Sequence, residues 1–175
     1  MAIATRDFLD AGLDDIRTAP ADAGTLELVV RRPAVDEREV LDEGVLDLEQ
    51  GLVGDSWSLR GTPELEAQLT LMNARVTALV AGERERWPLA GDQLYVDFDL
   101  SIENLPPGSR LAVGDAVVEI SELPHTGCAK FTARFGSDAI RFVNSPEGRA
   151  LRLRGVNARV VEPGAVRPGD AVRKL

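Results

Sequence analysis

The chain has a single cysteine, Cys128, and a single histidine, His125, among its 175 residues. One cysteine excludes an internal disulfide and is typical of a reducing compartment, where a lone thiol is a core residue, a ligand or a nucleophile. A zinc site built from several Cys and His side chains is excluded by the same counts. These two scarce residue types occur together, only three positions apart.

Long apolar runs and an excess of positive charge are also absent. The longest uncharged apolar run, near residues 76–81, is far too short to span a bilayer. The first residues lack the charged-then-apolar pattern of a secretion signal. The net charge of −9 argues against general nucleic-acid binding. We therefore expect a cytoplasmic protein whose partners include neither a nucleic acid nor a membrane.

The positive charge that is present lies mostly near the C-terminus. Residues 130–175 carry 10 Lys or Arg and 4 Asp or Glu, whereas residues 1–129 carry 10 and 25. Such asymmetry is typical of an anion site on an otherwise acidic protein. It is equally consistent with two halves that fold together and neutralise each other.

The pattern of strands and turns predicts one mainly β domain with short helices, a β-rich α+β fold. Short strand-like segments alternate with turn signals, and 16 Gly and 10 Pro favour a barrel or sandwich over a parallel sheet. Residues 1–24 are predicted to form an N-terminal helical extension and residues 25–175 the domain itself. Helices are predicted at 5–17, 74–81 and 129–143, and strands at 25–32, 45–48, 68–72, 91–98, 111–120, 156–161 and 171–173.

The segment P-H-T-G-C-A-K-F, residues 124–131, carries the chemistry that the sequence offers. It leaves an apolar strand and precedes a predicted helix. Nearby cations and a helix start lower the pKa of a thiol, and Lys130 and His125 flank Cys128. This context favours Cys128, His125 and Lys130 as catalytic residues. The structural alternative is a buried Cys128 that only fills space.

A second basic stretch contains Arg141, Arg149, Arg152 and Arg154 against one acid, Glu147. Arginine binds phosphate through paired, directional hydrogen bonds. As strand residues, Arg152 and Arg154 would share one face, and residues 144–149 would form a turn with free N–H groups. A solvated basic edge strand is the alternative.

Five short motifs follow one another along the chain: G-L-V-G-D at 51–55, Q-L-T-L-M-N at 68–73, G-D-Q-L at 91–94, L-P-P-G-S-R-L-A-V-G-D-A at 105–116, and Cys128. This order, over about residues 25–173, resembles the MOSC family, the domain found at the C-terminus of molybdenum-cofactor sulfurases. The sequence departs from the family pattern at three places. Gly127 replaces the Pro before the cysteine, His125 stands where an Arg is usual, and Asp92-Gln93 replaces Glu-Asn.

The resemblance implies a MOSC-type β-barrel with its site around Cys128. It also implies the molybdenum cofactor, an anionic pterin phosphate, with Cys128 as metal ligand and Arg149, Arg152, Arg154 and Asn157 as cofactor-binding residues. A thiolate is a natural soft ligand for such a metal. An oxidoreductase of this kind would reduce N-hydroxylated compounds and would need an external redox partner.

Two alternatives remain open under the resemblance. In the first, Cys128 is a sulfur carrier that accepts a persulfide from a cysteine desulfurase. The family's sulfurases have an additional pyridoxal-phosphate domain, which we do not find in this sequence, so the sulfur would come from that partner. In the second, the chain is a non-catalytic binding module whose Cys128 is buried and inert.

Overall fold

The computed structural model describes residues 2–175, which contain eleven strands and six short α-helices. The helices are α1 Arg6–Ala11, α2 Leu13–Arg17, α3 Ala74–Ala81, α4 Ala129–Phe135, α5 Ser137–Asn144 and α6 Pro146–Ala150. The strands are β1 Ala23–Arg31, β2 Glu39–Leu41, β3 Gly44–Asp47, β4 Gly51–Leu52, β5 Leu69–Asn73, β6 Leu94–Asp97, β7 Arg110–Val113, β8 Ala116–Ile120, β9 Val156–Glu162, β10 Gly164–Val166 and β11 Ala171–Lys174.

Seven strands close into a barrel in the order β1, β11, β7, β8, β9, β5, β6 and back to β1. Neighbouring strands are antiparallel except β5 and β6, which are parallel. Strand β2 pairs with the end of β1 outside this ring, and β10, β3 and β4 form a separate small sheet. The predicted β-rich barrel with short helices is therefore confirmed.

Strand β1 closes the barrel because it is long enough to pair along three stretches. Its first residues pair with β11, its middle with β6 and its last residues with β2. A register shift between Leu26 and Leu28 bends it between these partners. A closed ring leaves no exposed edge strand in the barrel.

Two hydrophobic clusters hold the fold together. The first fills the barrel and includes Leu26 and Val29 of β1. The second lies between the outside of the barrel and the helices, and includes Leu28 and Val30. Successive side chains of a strand point to opposite faces, and the register shift between Leu26 and Leu28 places these two on different faces, so both faces of this half of β1 are buried. This explains the apolar residues Leu28, Val29 and Val30 in succession near the end of β1.

Local signals predicted both ends of α3 and the turn between β7 and β8, whereas β2, β4 and β10 were not predicted. Asn73 caps α3 by accepting a hydrogen bond from Arg75 N–H, and the helix stops before Gly82. The hairpin of β7 and β8 turns at Gly114 and Asp115. The helix predicted over 129–143 is interrupted at Gly136, whose φ of 91° ends α4 before α5 begins. The segment predicted helical at 5–17 is α1 and α2.

The prediction of a strand at Arg152 and Arg154 is wrong. Both residues lie in a turn between α6 and β9, and the φ of 50° at Arg152 is incompatible with an extended strand. The two side chains therefore do not share a strand face. The turn predicted at 144–149 is mostly helix α6, because Ser145 caps its start and Pro146 supplies a preformed φ.

The N-terminal helices pack onto the barrel through the second cluster. Leu9 of α1 is fully buried there, and the backbone N–H of Arg6 donates to Asp138 of α5. Within residues 2–175, no helix has the length and apolar character needed to cross a membrane.

Gln68 offers a direct test of the packing at one seam of the barrel. Its buried amide accepts a hydrogen bond from Val160 N–H of β9 and donates to Leu48 O. Gln68→Leu would leave these backbone groups unpaired, so we expect a loss of about 2 kcal/mol in the free energy of unfolding. Urea denaturation measures it, with the exposed Gln50→Leu as control. Equal stability of the two variants would contradict this role.

Candidate functional site

Cys128 lies at the end of the loop that leaves β8, at the N-cap of α4, and is exposed. Two asparagines fix this loop. Asn144 of α5 accepts a hydrogen bond from Gly127 N–H at 3.0 Å. Asn157 of β9 donates to Leu123 O and Pro124 O at 3.1 and 3.2 Å. The thiol therefore lies on a surface loop whose conformation is fixed by hydrogen bonds, and it is not part of the core.

The exposed thiol lines a cavity of about 330 Å³, here named the Cys128 cavity. Six cationic side chains also line it, whereas Asp36 is the only acid among its lining residues in the described chain. The cations are Arg32, Arg38, Arg60, Lys130, Arg134 and Arg154. On a chain with a net charge of −9, this concentration of positive charge favours an anionic ligand.

Arg32, directly after β1, is held in the cavity wall by an ion pair with Asp55. Its guanidinium binds both carboxylate oxygens of Asp55, at 3.0 and 2.8 Å, and donates to Gly91 O. Asp55 is buried. Burial alone would raise its pKa, but the bonds and charge of Arg32 outweigh this and leave the pKa lowered. The Gly-Asp turn of residues 54–55 thus supports the cavity wall.

Arg38 and Arg60 have no carboxylate within 4 Å anywhere in residues 2–175. Arg38 donates only to the carbonyl oxygens of Pro88 and Glu37. Burial lowers the pKa of Arg38, and the positive charges of Arg134 and Arg32 lower it further. Crowded cations of this kind would be stabilised by a bound anion.

Asp36 holds two of the cations on the opposite wall. Its Oδ1 accepts from Lys130 Nζ and from Arg134, both at 3.2 Å. The hydrogen bond from Lys130 lowers the pKa of Asp36. Asp36 has a φ of 62°, a left-handed conformation that aspartate adopts more readily than most residues. Lys130 therefore faces the same cavity as Cys128.

Asp92, Arg154 and His125 form a buried ionic group that connects the Cys128 loop to the barrel. Asp92 is fully buried and accepts from Arg154 at 2.7 Å and from His125 Nε2 at 3.1 Å. Burial alone would raise the pKa of Asp92, but the charge of Arg154 and the bond from His125 lower it to about 2. Burial lowers the pKa of His125, and this outweighs the opposing effect of Asp92.

These pKa directions define the state of the imidazole. Asp92 is ionised and can only accept, so Nε2 of the neutral His125 carries the proton. Nδ1 is then an acceptor. Arg154 also donates to Ala90 O and lies 5.0 Å over the Phe131 ring.

The local environment makes Cys128 more acidic than an ordinary thiol. A hydrogen bond from the backbone N–H of Phe131 is the largest cause of its lowered pKa. Partial burial opposes the shift, while the N–H of Lys130 and the charges of Arg154 and Arg134 add to it. Because the thiolate is both the nucleophile and the metal ligand, the environment favours the reactive form.

The arginines proposed from the sequence are divided by the structure. Arg149, Arg152 and Asn157 line a second cavity of about 530 Å³, which we name the α6 cavity, and they do not line the Cys128 cavity. Arg154 and His125 line both. Of the residues proposed from the sequence, the Cys128 cavity brings together Cys128, His125, Lys130 and Arg154.

Four arginines of the Cys128 cavity were missed by the sequence analysis: Arg32, Arg38, Arg60 and Arg134. They come from the end of β1, from two loops and from α4. No spacing in the sequence relates them. A weak signal was available in the adjacent pair Arg31-Arg32, since two cations end an apolar strand directly before Pro33.

The fold and site define a small closed β-barrel with an exposed, acidified thiol in a cationic cavity. The MOSC domain family matches residues 62–173, which is more than half of the chain. The protein therefore belongs to the MOSC domain family. The matched segment contains Cys128, Asp92 and Arg154. No curated protein matches this chain.

Solved structures share the fold at low sequence identity. YuaD from Bacillus subtilis superposes with a TM-score of 0.60 at 18% identity, over 86% of this chain and 94% of YuaD. YiiM from Escherichia coli gives a TM-score of 0.58 at 21% identity, over 86% of this chain and 69% of YiiM. YiiM from Geobacillus stearothermophilus gives 0.54 at 12% identity, over 87% and 73%. At these identities the likeness concerns the fold alone.

The lowered pKa of Cys128 predicts its reactivity. In the native protein, the pH midpoint of alkylation by iodoacetamide should lie below that of the same cysteine in urea-unfolded protein, because the folded environment favours thiolate. Arg134→Gln should move the midpoint upwards, since it removes one of the positive charges. Arg173→Gln, an exposed change outside the cavity, should not. A native midpoint at or above the unfolded one would refute the proposed acidification.

Proposed function

We propose that this MOSC protein binds the molybdenum cofactor in the Cys128 cavity, with Cys128 Sγ as the protein ligand to the metal. The observation that carries the proposal is the placement of an exposed, acidified thiol among six cations and one acid. The cations suit the anionic pterin phosphate of this cofactor, and the thiolate is a soft ligand that suits its metal.

The residues present fit such a group. Among residues 2–175, no cluster of three or more His, Cys, Asp or Glu side chains could hold a metal ion. A metal at Cys128 would therefore have to arrive with most of its ligands, as it does in a pterin dithiolene. Arg38 and Arg60, which have no carboxylate partner within residues 2–175, are the residues best suited to receive the phosphate.

When bound, the cofactor would supply a two-electron centre for removing oxygen from an N–O bond. Reduction of an N-hydroxylated compound to the amine consumes two electrons and two protons and releases water, so an external redox partner must provide the electrons. The protein's own residues would bind and orient the cofactor. Arg32 is held rigid by Asp55, while neutral His125 presents Nδ1 as an acceptor.

A sulfur-carrier function is the second candidate, favoured by the same exposed thiol. The Cys128 thiolate would attack the terminal sulfur of a desulfurase persulfide, which forms a Cys128 persulfide and releases the desulfurase thiolate. The third possibility, a non-catalytic module with a buried cysteine, is disfavoured because Cys128 is exposed. A cytoplasmic location remains a prediction.

The metal content of purified protein tests the proposal. Protein made in a molybdenum-replete host should contain molybdenum by mass spectrometry and release a fluorescent pterin on oxidation. Cys128→Ser should lose the metal because the thiolate ligand is gone. Arg38→Gln should bind the isolated cofactor about tenfold more weakly, the effect of about 1.4 kcal/mol. Arg173→Gln should match the wild type in metal content and in affinity for the cofactor.

Two outcomes would reject binding of the cofactor in the Cys128 cavity. The first is the absence of molybdenum and pterin both after expression and after reconstitution. The second is full retention of both in Cys128→Ser and Arg38→Gln. A 32-Da adduct on Cys128 after treatment with a cysteine desulfurase, absent in Cys128→Ser, would then support the sulfur carrier instead.

A further inference from the structure

The α6 cavity lies on the other side of His125 and Arg154 from Cys128. It is bounded by the loop after β8, by α6 and by the turn that precedes β9. Its walls are largely apolar, with Ile102, Leu123, Pro124, Val143 and Val156 among them. At about 530 Å³ it has the size of a small-molecule site.

Two of the three arginines that line this cavity have no anionic partner among residues 2–175. Within the described chain, neither Arg149 nor Arg152 has a carboxylate within 4 Å. Arg149 is exposed at the rim. Arg152 is half-buried, and its guanidinium donates to the carbonyl oxygens of Leu100 and Leu105. The lining thus has more positive than negative charge.

Two residues of the same lining, Arg154 and Ser121, each contain a buried polar atom without a partner in the described chain. Arg154 is only 6% exposed, and its Nε has no hydrogen-bond partner within residues 2–175. Ser121 Oγ, on the same cavity's lining, is likewise buried and unpartnered in the described chain. Unmet buried donors are rare in native proteins because each costs about 1–3 kcal/mol.

From these observations we propose that the α6 cavity is a second ligand site, separate from the Cys128 cavity, for a small aromatic carboxylate. The apolar walls receive the ring, and Arg149 and Arg152 receive the carboxylate at the mouth. The Cys128 cavity, by contrast, is lined by six cations and one acid. This site does not depend on cofactor binding at Cys128.

A matched pair of compounds tests the site. Isothermal titration calorimetry would compare naphthalene-2-carboxylate with the neutral 2-naphthalenemethanol, which has the same ring system. Both titrations use metal-free Cys128→Ser protein, so the result is independent of molybdenum. We expect the carboxylate to bind at least about tenfold more tightly than the alcohol, because a charge-assisted hydrogen bond contributes about 1.5–3 kcal/mol.

Variants locate the binding. Arg149→Gln should weaken carboxylate binding about five- to tenfold and leave the alcohol unchanged, while Arg149→Lys retains part of the effect. Arg149 is exposed, so neither change should disturb the fold. Thr126→Trp, at an exposed lining position, should block both compounds. Arg173→Gln, on β11, should bind like the parent protein.

Three results would overturn the proposal: no detectable binding of the carboxylate, equal affinity for the carboxylate and the alcohol, or affinities that do not change in Arg149→Gln and Thr126→Trp. Each is distinguishable from failure of the cofactor proposal, which is measured by metal and pterin content.

Discussion

The buried ion pair between Asp92 and Arg154 is the interaction on which both cavities depend. Asp92 comes from the segment before β6 and Arg154 from the turn before β9, so their contact at 2.7 Å joins two separate parts of the barrel wall. Asp92 also accepts a hydrogen bond from Nε2 of His125, which lies on the loop that carries Cys128. Breaking such a buried pair by removing one partner costs about 3–5 kcal/mol, because the other charge is left without compensation.

The same ionic group divides the surface into two chemically different sites. On one side, Cys128 is surrounded by cations. Arg32 is paired with Asp55, whereas Arg38 has no carboxylate partner in the described part of the chain. On the other side, apolar walls meet the arginines of the α6 cavity. Positive charge is therefore concentrated at two places on an acidic protein, and both places favour anionic ligands. Membership of the MOSC family supports the proposal of an anionic ligand at the Cys128 cavity.

The fold was largely predictable because its signals are local. Asn73 and Gly82 mark the ends of α3, and Gly114 marks the hairpin of β7 and β8. Arg152 was placed wrongly because alternating residues in a short basic stretch fit a strand as well as a turn, and its positive φ has no clear sequence signature. The candidate site was predictable only in part. Cys128, His125 and Lys130 are neighbours in sequence, whereas Arg32, Arg38, Arg60 and Arg134 meet the thiol only after the barrel closes.

The protonation state of His125 tests the buried ionic group most directly. Because the chain has one histidine, its imidazole nitrogen-15 resonances need no assignment by mutagenesis. We expect a neutral ring with the proton on Nε2 at pH 7, and a midpoint of titration below that of histidine in the unfolded chain. A ring that titrates at the unfolded value with mixed tautomers would show that His125 is not held by Asp92, and it would contradict the arrangement described for both cavities.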